Sequence, residues 1–283
     1  MMEQRCFVGR FLVMNKNEKN VVLILAIVAF LTVASAIMFS YTNDFYEATQ
    51  KADESMLGNE FVEVIKADEY YLFQLREEQG AHELQNKSEA LETQTQQQQM
   101  GQNTQKKGII FYPGGKVEET AYAPILLQFA EAGYEVYLVK MPMKLAIFGV
   151  NRAEDIIDQA DDITEWTMMG HSLGGAMAAS FSAKHDEQVD KLVLLSAYST
   201  EDLSDKEIDV YSFYGTEDMV LNREKYQKYY TNLPEDTVEE VIDGGNHAYY
   251  AHYGEQKGDG TATISRKEQQ ECVLDVFLQY EYK

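Results

Sequence analysis

Trp166-Thr167-Met168-Met169-Gly170-His171-Ser172-Leu173-Gly174-Gly175-Ala176-Met177-Ala178-Ala179 reads as a strand, a tight turn and the start of a helix. The first four residues form a short, bulky, mostly apolar run, as expected of a strand buried on both faces. Ala176 to Ala179 are good helix formers. The turn between them, Gly170 to Gly175, fits G-x-S-x-G. That pattern alone arises by chance in roughly one chain of this length in ten, so the strand–turn–helix context decides its meaning. In such a turn Ser172 takes a strained backbone and projects its hydroxyl above the sheet edge. Side chains at positions 170 and 174 would collide with neighbouring backbone. The Leu173 N–H lies beside the hydroxyl at the incipient helix N-terminus, where it can donate to a developing oxyanion.

Working outward, the same alternation recurs. Apolar runs at Ile109–Tyr112, Val136–Lys140, Leu192–Leu195, Val210–Tyr214 and Val238–Ile242 read as strands. Helical stretches lie between or after them at Tyr122–Ala132, Arg152–Ala160, Gly175–His185, Arg223–Thr231 and Ser265–Tyr280. Short apolar strands alternating with amphipathic helices imply an α/β domain, with a mostly parallel sheet covered on both faces. Phe61–Phe73 holds two short β-prone stretches, FVEVI and YYLFQL, that suit a hairpin. The span 77–107 is rich in Gln, Glu and Asn, including Gln96 to Gln99. It has too few apolar residues to bury a core and reads as a solvated loop inserted into the domain.

The N-terminal end is of another kind. Val21 to Phe39 is uncharged, with only Thr32 and Ser35 as polar residues. As a helix it would be about 28 Å long, near the hydrocarbon thickness of a bilayer. Arg5, Arg10, Lys16 and Lys19 precede it against Glu3 and Glu18, and Asp44 and Glu47 follow. The excess of basic residues before the run predicts N-terminus in and body outside the cytoplasm. Ala34-Ser35-Ala36 leaves a cleaved signal peptide as the alternative, although the apolar run is longer than a usual signal core. The expected organisation is a cytoplasmic N-terminus over 1–19, a transmembrane anchor over 20–39, a linker over 40–60 and a catalytic domain over 61–283.

The 283 residues carry a net charge of −23, with 45% apolar and 12% aromatic residues. That composition supports a sizeable core. So acidic a body repels phosphate backbones, which excludes nucleic acid as a partner. Cys6 and Cys272 fall on opposite sides of the apolar run, so no disulfide framework is expected. No cysteine, histidine or carboxylate spacing suggests a metal site, and no cofactor is expected.

The wider set FYPGGKVEETAYAPILLQFAEAGYEVYLVKMP (Phe111–Pro142), GHSLGG (Gly170–Gly175), YGTEDMV (Tyr214–Val220) and GGNHAYYAHYGEQKGDG (Gly244–Gly260) resembles the α/β-hydrolase superfamily. Within it, the set is similar to a bacterial subgroup related to dienelactone-hydrolase-like proteins. The resemblance covers about Gly108 to Tyr282. It implies an α/β-hydrolase fold and a triad in the chain order Ser, Asp or Glu, His. Asp218 follows a strand and Gly215, matching the family pattern for the acid, with Glu217 as its neighbouring alternative. His247 follows the Val238–Ile242 strand and a glycine pair, and His252 is the competing histidine. The implied roles are Ser172 as nucleophile, His247 as general base and Asp218 as the acid that holds the imidazole. Besides Leu173, the second oxyanion donor is expected in Pro113-Gly114-Gly115-Lys116, from the Gly115 or Lys116 N–H.

Few residues separate Ser196 from Val210, where large lids are usually inserted, so a minimal lid and an open site are expected. Met141 to Phe148 could line one wall. The expected function is hydrolysis of an ester or related acyl bond in a small or lipid-like substrate. The alternatives are acyl transfer by the same triad and an anchored, non-catalytic binding protein.

Overall fold

The computed structural model describes residues 15–76 and 106–281. These divide into two units, one ending at Phe45 and the other beginning at Tyr46. The first unit is one long helix, α1 (Lys16–Asn43). Asn15 caps it: its side chain accepts from the N–H groups of Asn17 and Glu18, while the Glu18 carboxylate accepts from the Asn15 N–H. The helix is apolar all round and long enough to cross a membrane. Its one threonine before Ser35, Thr32, returns its hydroxyl to the Val28 carbonyl of the preceding turn, so that polar group is satisfied within the helix.

The second unit is built on a sheet of eight strands among the described residues: β1 (Val62–Lys66), β2 (Tyr70–Leu75), β3 (Lys106–Tyr112), β4 (Glu135–Val139), β5 (Ile163–His171), β6 (Lys191–Leu195), β7 (Asp209–Gly215) and β8 (Val238–Ile242). Their order across the sheet is β1-β2-β4-β3-β5-β6-β7-β8. The β1–β2 hairpin adds antiparallel to β4, and every pairing from β4 to β8 is parallel. Side chains alternate between two apolar layers, as the period of a strand requires. Ile109 and Phe111 of β3 enter one layer, and Ile110 and Tyr112 the other. Helices α3 (Ala123–Glu131) and α7 (Arg266–Glu281) close the first layer with Ile125, Phe129, Val273 and Phe277. Helices α4 (Arg152–Gln159) and α5 (Leu173–Ser182) close the second with Ile156, Ala178 and Phe181. Burying each Ile, Val or Phe among them contributes about 1.5–3 kcal/mol. With helix α6 (Arg223–Tyr229) before β8, this is an α/β-hydrolase fold.

One expectation needs correction, and another falls almost wholly outside the described residues. The stretch read as a linker over 40–60 is structured from Tyr46 onward. Tyr46 pairs with Val117 and Ala48 with Tyr253, and the short helix α2 (Gln50–Ser55) buries Ala52 and Ser55. Its polar composition hid this, because the pairing uses backbone groups. The Gln-rich stretch lies outside the described residues, except for Lys106 and Lys107, which open β3.

The minimal lid is as expected: the connection from β6 to β7 contains no helix or strand. The residues singled out from the sequence follow the carboxyl ends of β3, β5, β7 and β8.

Candidate active site

The turn from β5 into α5 places Ser172 at the N-cap position with φ 52° and ψ −120°. A non-glycine residue held there costs on the order of 1–3 kcal/mol, and such strain persists only where surrounding structure enforces it. The enforcement is visible. The Ser172 N–H donates to the Leu195 carbonyl at 2.9 Å, and the Ser172 carbonyl accepts from the Ala176 N–H at 3.1 Å. A Cβ on Gly174 would lie 2.0 Å from the Tyr112 carbonyl oxygen, and one on Gly170 would lie 2.6 Å from the Gly174 backbone. Only glycine lets the new helix pass this close to β3 and its own strand.

Asp218 follows β7, and His247 follows β8. Their loops are stitched together: the Thr216 N–H donates to the Ile242 carbonyl at 3.0 Å, and the Glu217 N–H to the Gly245 carbonyl at 2.8 Å. His247 Nδ1 lies 2.9 Å from Asp218 Oδ2, with both side chains buried. Asp218 Oδ1 accepts from the N–H groups of Val220 and Leu221 at 2.9 and 2.8 Å. Burial works against the charge of Asp218. The hydrogen bond and charge of His247, with help from the Leu221 N–H, outweigh it and bring the carboxyl down to about 2. Asp218 is therefore an ionised acceptor at neutral pH, and the proton between the two groups belongs to His247 Nδ1. His247 Nε2 is buried without a hydrogen-bond partner among the described residues.

His171 joins the two halves. Its ring centroid is 4.5 Å from that of His247, which brings the end of β5, next to Ser172, against that imidazole. Ser172 Oγ and His247 Nε2 do not form a hydrogen bond here. Such bonds are often long in free enzymes and tighten in the Michaelis complex. Burial and the neighbouring His247 imidazole push His171 well below its ordinary value and keep it neutral. Its Nδ1 is 2.7 Å from the Tyr122 hydroxyl, which accepts the Gly114 N–H at 2.9 Å. An accepting hydroxyl still has its own proton to give, so Tyr122 donates to His171 Nδ1. In the sequence His171 is only the variable residue of G-x-S-x-G, and that pattern gives it no role.

The Gly114–Lys116 loop separates the two oxyanion candidates. The Lys116 N–H donates to the Lys144 carbonyl at 2.9 Å and is therefore spent. Lys144 is brought there by left-handed backbone at Met143 and Lys144, with φ 53° and 55°, which no local pattern announced. Gly115 makes no such bond among the described residues. A Cβ on it would lie 3.0 Å from Leu173 Cδ2, which puts Gly115 next to Leu173. The Met141–Phe148 stretch divides. Met141 and Ala146 are core, Leu145 approaches Gly115, and Met143, Ile147 and Phe148 are exposed.

The alternatives named for acid and base lie elsewhere. Among the described residues the Glu217 side chain accepts only from the adjacent Thr216 hydroxyl. His252 is pushed down to about 4 by burial, then by the charges of Arg266 and Lys51.

Two residues unnoticed in the sequence support His247. Asp259 accepts the His247 and Met219 N–H groups on Oδ1, both at 3.3 Å, and the Ala248 N–H on Oδ2 at 2.9 Å. Gln269, buried on α7, accepts the Asn246 N–H at 3.0 Å and donates to the Asn246 carbonyl at 2.8 Å.

Comparison with known proteins agrees with this architecture. A structure of MGS-MChE2, an α/β hydrolase from the metagenome of lagoon sediments at Mar Chica, Morocco, superposes with a TM-score of 0.50. It is 16% identical, over 66% of this chain and 100% of that one. A CIB-like hydrolase from Thermoplasma acidophilum gives 0.48 at 16% identity, over 76% and 96% of the two chains. The esterase Est2 of Thermogutta terrifontis gives 0.48 at 12%, over 77% and 91%. A search of curated proteins found no match. At 16% identity the likeness to MGS-MChE2 is one of fold. The sequence itself goes further: a family model described as the alpha/beta hydrolase family matches residues 108–271, more than half of the chain, and the chain belongs to that family.

Proposed function

We propose that this protein is a serine hydrolase that cleaves an ester or related acyl bond through an acyl-enzyme. Ser172 is the nucleophile, His247 the base and Asp218 the acid that orients the base. The state of His247 carries the reading. One imidazole nitrogen is tied to an ionised carboxylate, and the other is buried beside the strained turn with its lone pair unclaimed.

In this scheme Ser172 Oγ attacks the acyl carbon while its proton passes to His247 Nε2. Asp218 stabilises the resulting imidazolium. The N–H groups of Leu173 and Gly115 receive the oxyanion of the tetrahedral intermediate. Collapse breaks the bond to the leaving alkoxide, which takes the proton from Nε2. Water then adds to the acyl-enzyme, again giving its proton to Nε2, and the acid product leaves as Ser172 recovers its hydrogen. A panel of acyl esters of graded chain length tests the activity. The expected result is turnover that Ser172→Ala lowers by at least ~10³-fold. Equal turnover by the purified variant overturns the reading.

The apolar α1 helix is read as an uncleaved single-pass anchor with Lys16 and Lys19 on the cytoplasmic side. Protease added to intact spheroplasts is expected to digest the body and spare the first residues. A mature N-terminus at Ile37 contradicts the anchor.

A further inference from the structure

The residues that follow α1 do more than connect it. Tyr46 to Thr49 lie between the two loops on which the proposed chemistry depends. On one side, the Tyr46 N–H donates to the Lys116 carbonyl at 2.8 Å, and the Tyr46 carbonyl accepts the Glu118 N–H at 2.9 Å. The Ala48 N–H donates to Glu118 Oε2 at 2.9 Å. Gly115, the remaining oxyanion candidate, is the neighbour of Lys116. On the other side, the Thr49 N–H donates to the His252 carbonyl at 2.8 Å, and the Tyr46 hydroxyl accepts the Lys257 N–H at 3.2 Å. The Tyr46 ring packs on the buried Tyr253 ring with centroids 5.4 Å apart. These partners belong to the segment that runs from His247 to Asp259.

We propose that Tyr46–Thr49 is a strap that sets the spacing between the Gly115 N–H and His247, so that Tyr46 is a positioning residue for catalysis. The physical case is one of rigidity. The Gly114–Lys116 loop contains two glycines and left-handed backbone at Lys116, φ 60°, and is soft unless held from outside. An oxyanion donor must sit within a few tenths of an ångström of the developing charge, and a shift of about 1 Å can cost ~10²-fold in rate. The strap bonds the carbonyl of the residue next to Gly115 and, in the same segment, the loop that bears His247. None of its residues is among those that the proposed scheme sets against the acyl group. Its loss therefore weakens transition-state stabilisation more than binding.

This inference rests on the reading of Ser172 and His247 given above, and one experiment separates the two. The full chain in detergent is compared with Tyr46→Pro, which removes the N–H to Lys116, with Tyr46→Phe, which keeps the ring and both backbone bonds, and with Glu118→Ala, which removes the acceptor for Ala48. Ester kcat and KM, the rate of inactivation by a fluorophosphonate, and Tm are measured on each. The strap account expects Tyr46→Pro to lower kcat and the inactivation rate together by about 10-fold or more, with KM within about twofold. Tyr46→Phe should lose less than about threefold, and Glu118→Ala should fall between them. If Tyr46→Pro fails to fold, Glu118→Ala carries the same test. Variants that keep wild-type kcat and inactivation rate, or that lose activity only in step with folded fraction, overturn the strap and leave the triad standing. A folded wild-type protein that the fluorophosphonate does not modify overturns the triad instead.

Discussion

At the scale of single residues, the site is organised by groups that accept backbone N–H bonds as much as by the reacting ones. Asp259 is the clearest case, since its carboxylate takes the N–H groups of both His247 and Ala248 and that of Met219 beside Asp218. It touches no reacting atom, so its effect on the rate must pass through the position of His247. Asp259→Ala leaves these donors without their acceptor and is expected to lower kcat by about 10–100-fold with little change in KM. Asp259→Asn, which keeps one acceptor oxygen, should lose less. Steady-state kinetics on the folded variants decides, and wild-type kcat in Asp259→Ala contradicts the assignment. Asp259 was not legible in advance because the chain carries 47 Asp and Glu residues, and one acid in a glycine-rich loop is indistinguishable from the rest. Lys116 failed for a related reason. The spacing placed it correctly in the loop after β3, but its N–H is consumed by Lys144, which comes from a separate turn.

At the scale of elements, legibility followed burial. β3, β4, β6 and β7 appear in the sequence as short apolar runs because both faces of each strand are covered, whereas β8, at the sheet edge, turns only Val238 and Ile242 into an apolar layer and leaves Val241 exposed. Their ends differ from the apolar runs by up to a few residues. β5 is the widest case: it runs from Ile163 to His171 rather than from Trp166 to Met169, since its ladder with β3 continues past the bulky residues. Ladder bonds are made by backbone and do not require an apolar side chain. The same fact explains the misread segment at Tyr46 to Ser55, whose pairing with Val117 and Tyr253 leaves no periodic trace. The elbow was legible because its constraint is chemical at specific positions. Gly170 and Gly174 stand where a Cβ would overlap backbone, and that requirement is written directly in the residue types.

At the scale of the whole molecule, two histidines link stability to pH. Burial, with neighbouring positive or imidazole groups, pushes His171 well below its ordinary value and His252 down to about 4. An unfolded histidine binds its proton near pH 6.5. Below about 6.5 the unfolded chain therefore takes up protons that the folded chain refuses, and stability falls as pH drops from about 6.5 toward about 4. Asp218 acts in the same direction at lower pH. Its contribution is present above the unfolded carboxyl value, about 3.9, and is lost as pH falls toward about 2, below that window. The net charge of −23 also changes on acidification, so the comparison must be between variants. His252→Gln is expected to flatten the decline of Tm between about pH 6.5 and 4 relative to wild type. An unchanged slope in that variant contradicts the assignment.

The central claim is that Ser172 forms a covalent bond with the acyl group, using His247 as its base. Covalent trapping tests it most directly. The folded full chain is incubated with a fluorophosphonate, its intact mass is measured, and the modified peptide is sequenced. The account predicts one adduct per chain on Ser172, none in Ser172→Ala, and much slower formation in His247→Ala. A folded wild-type chain that stays unmodified, or that carries the adduct on any residue other than Ser172, contradicts it.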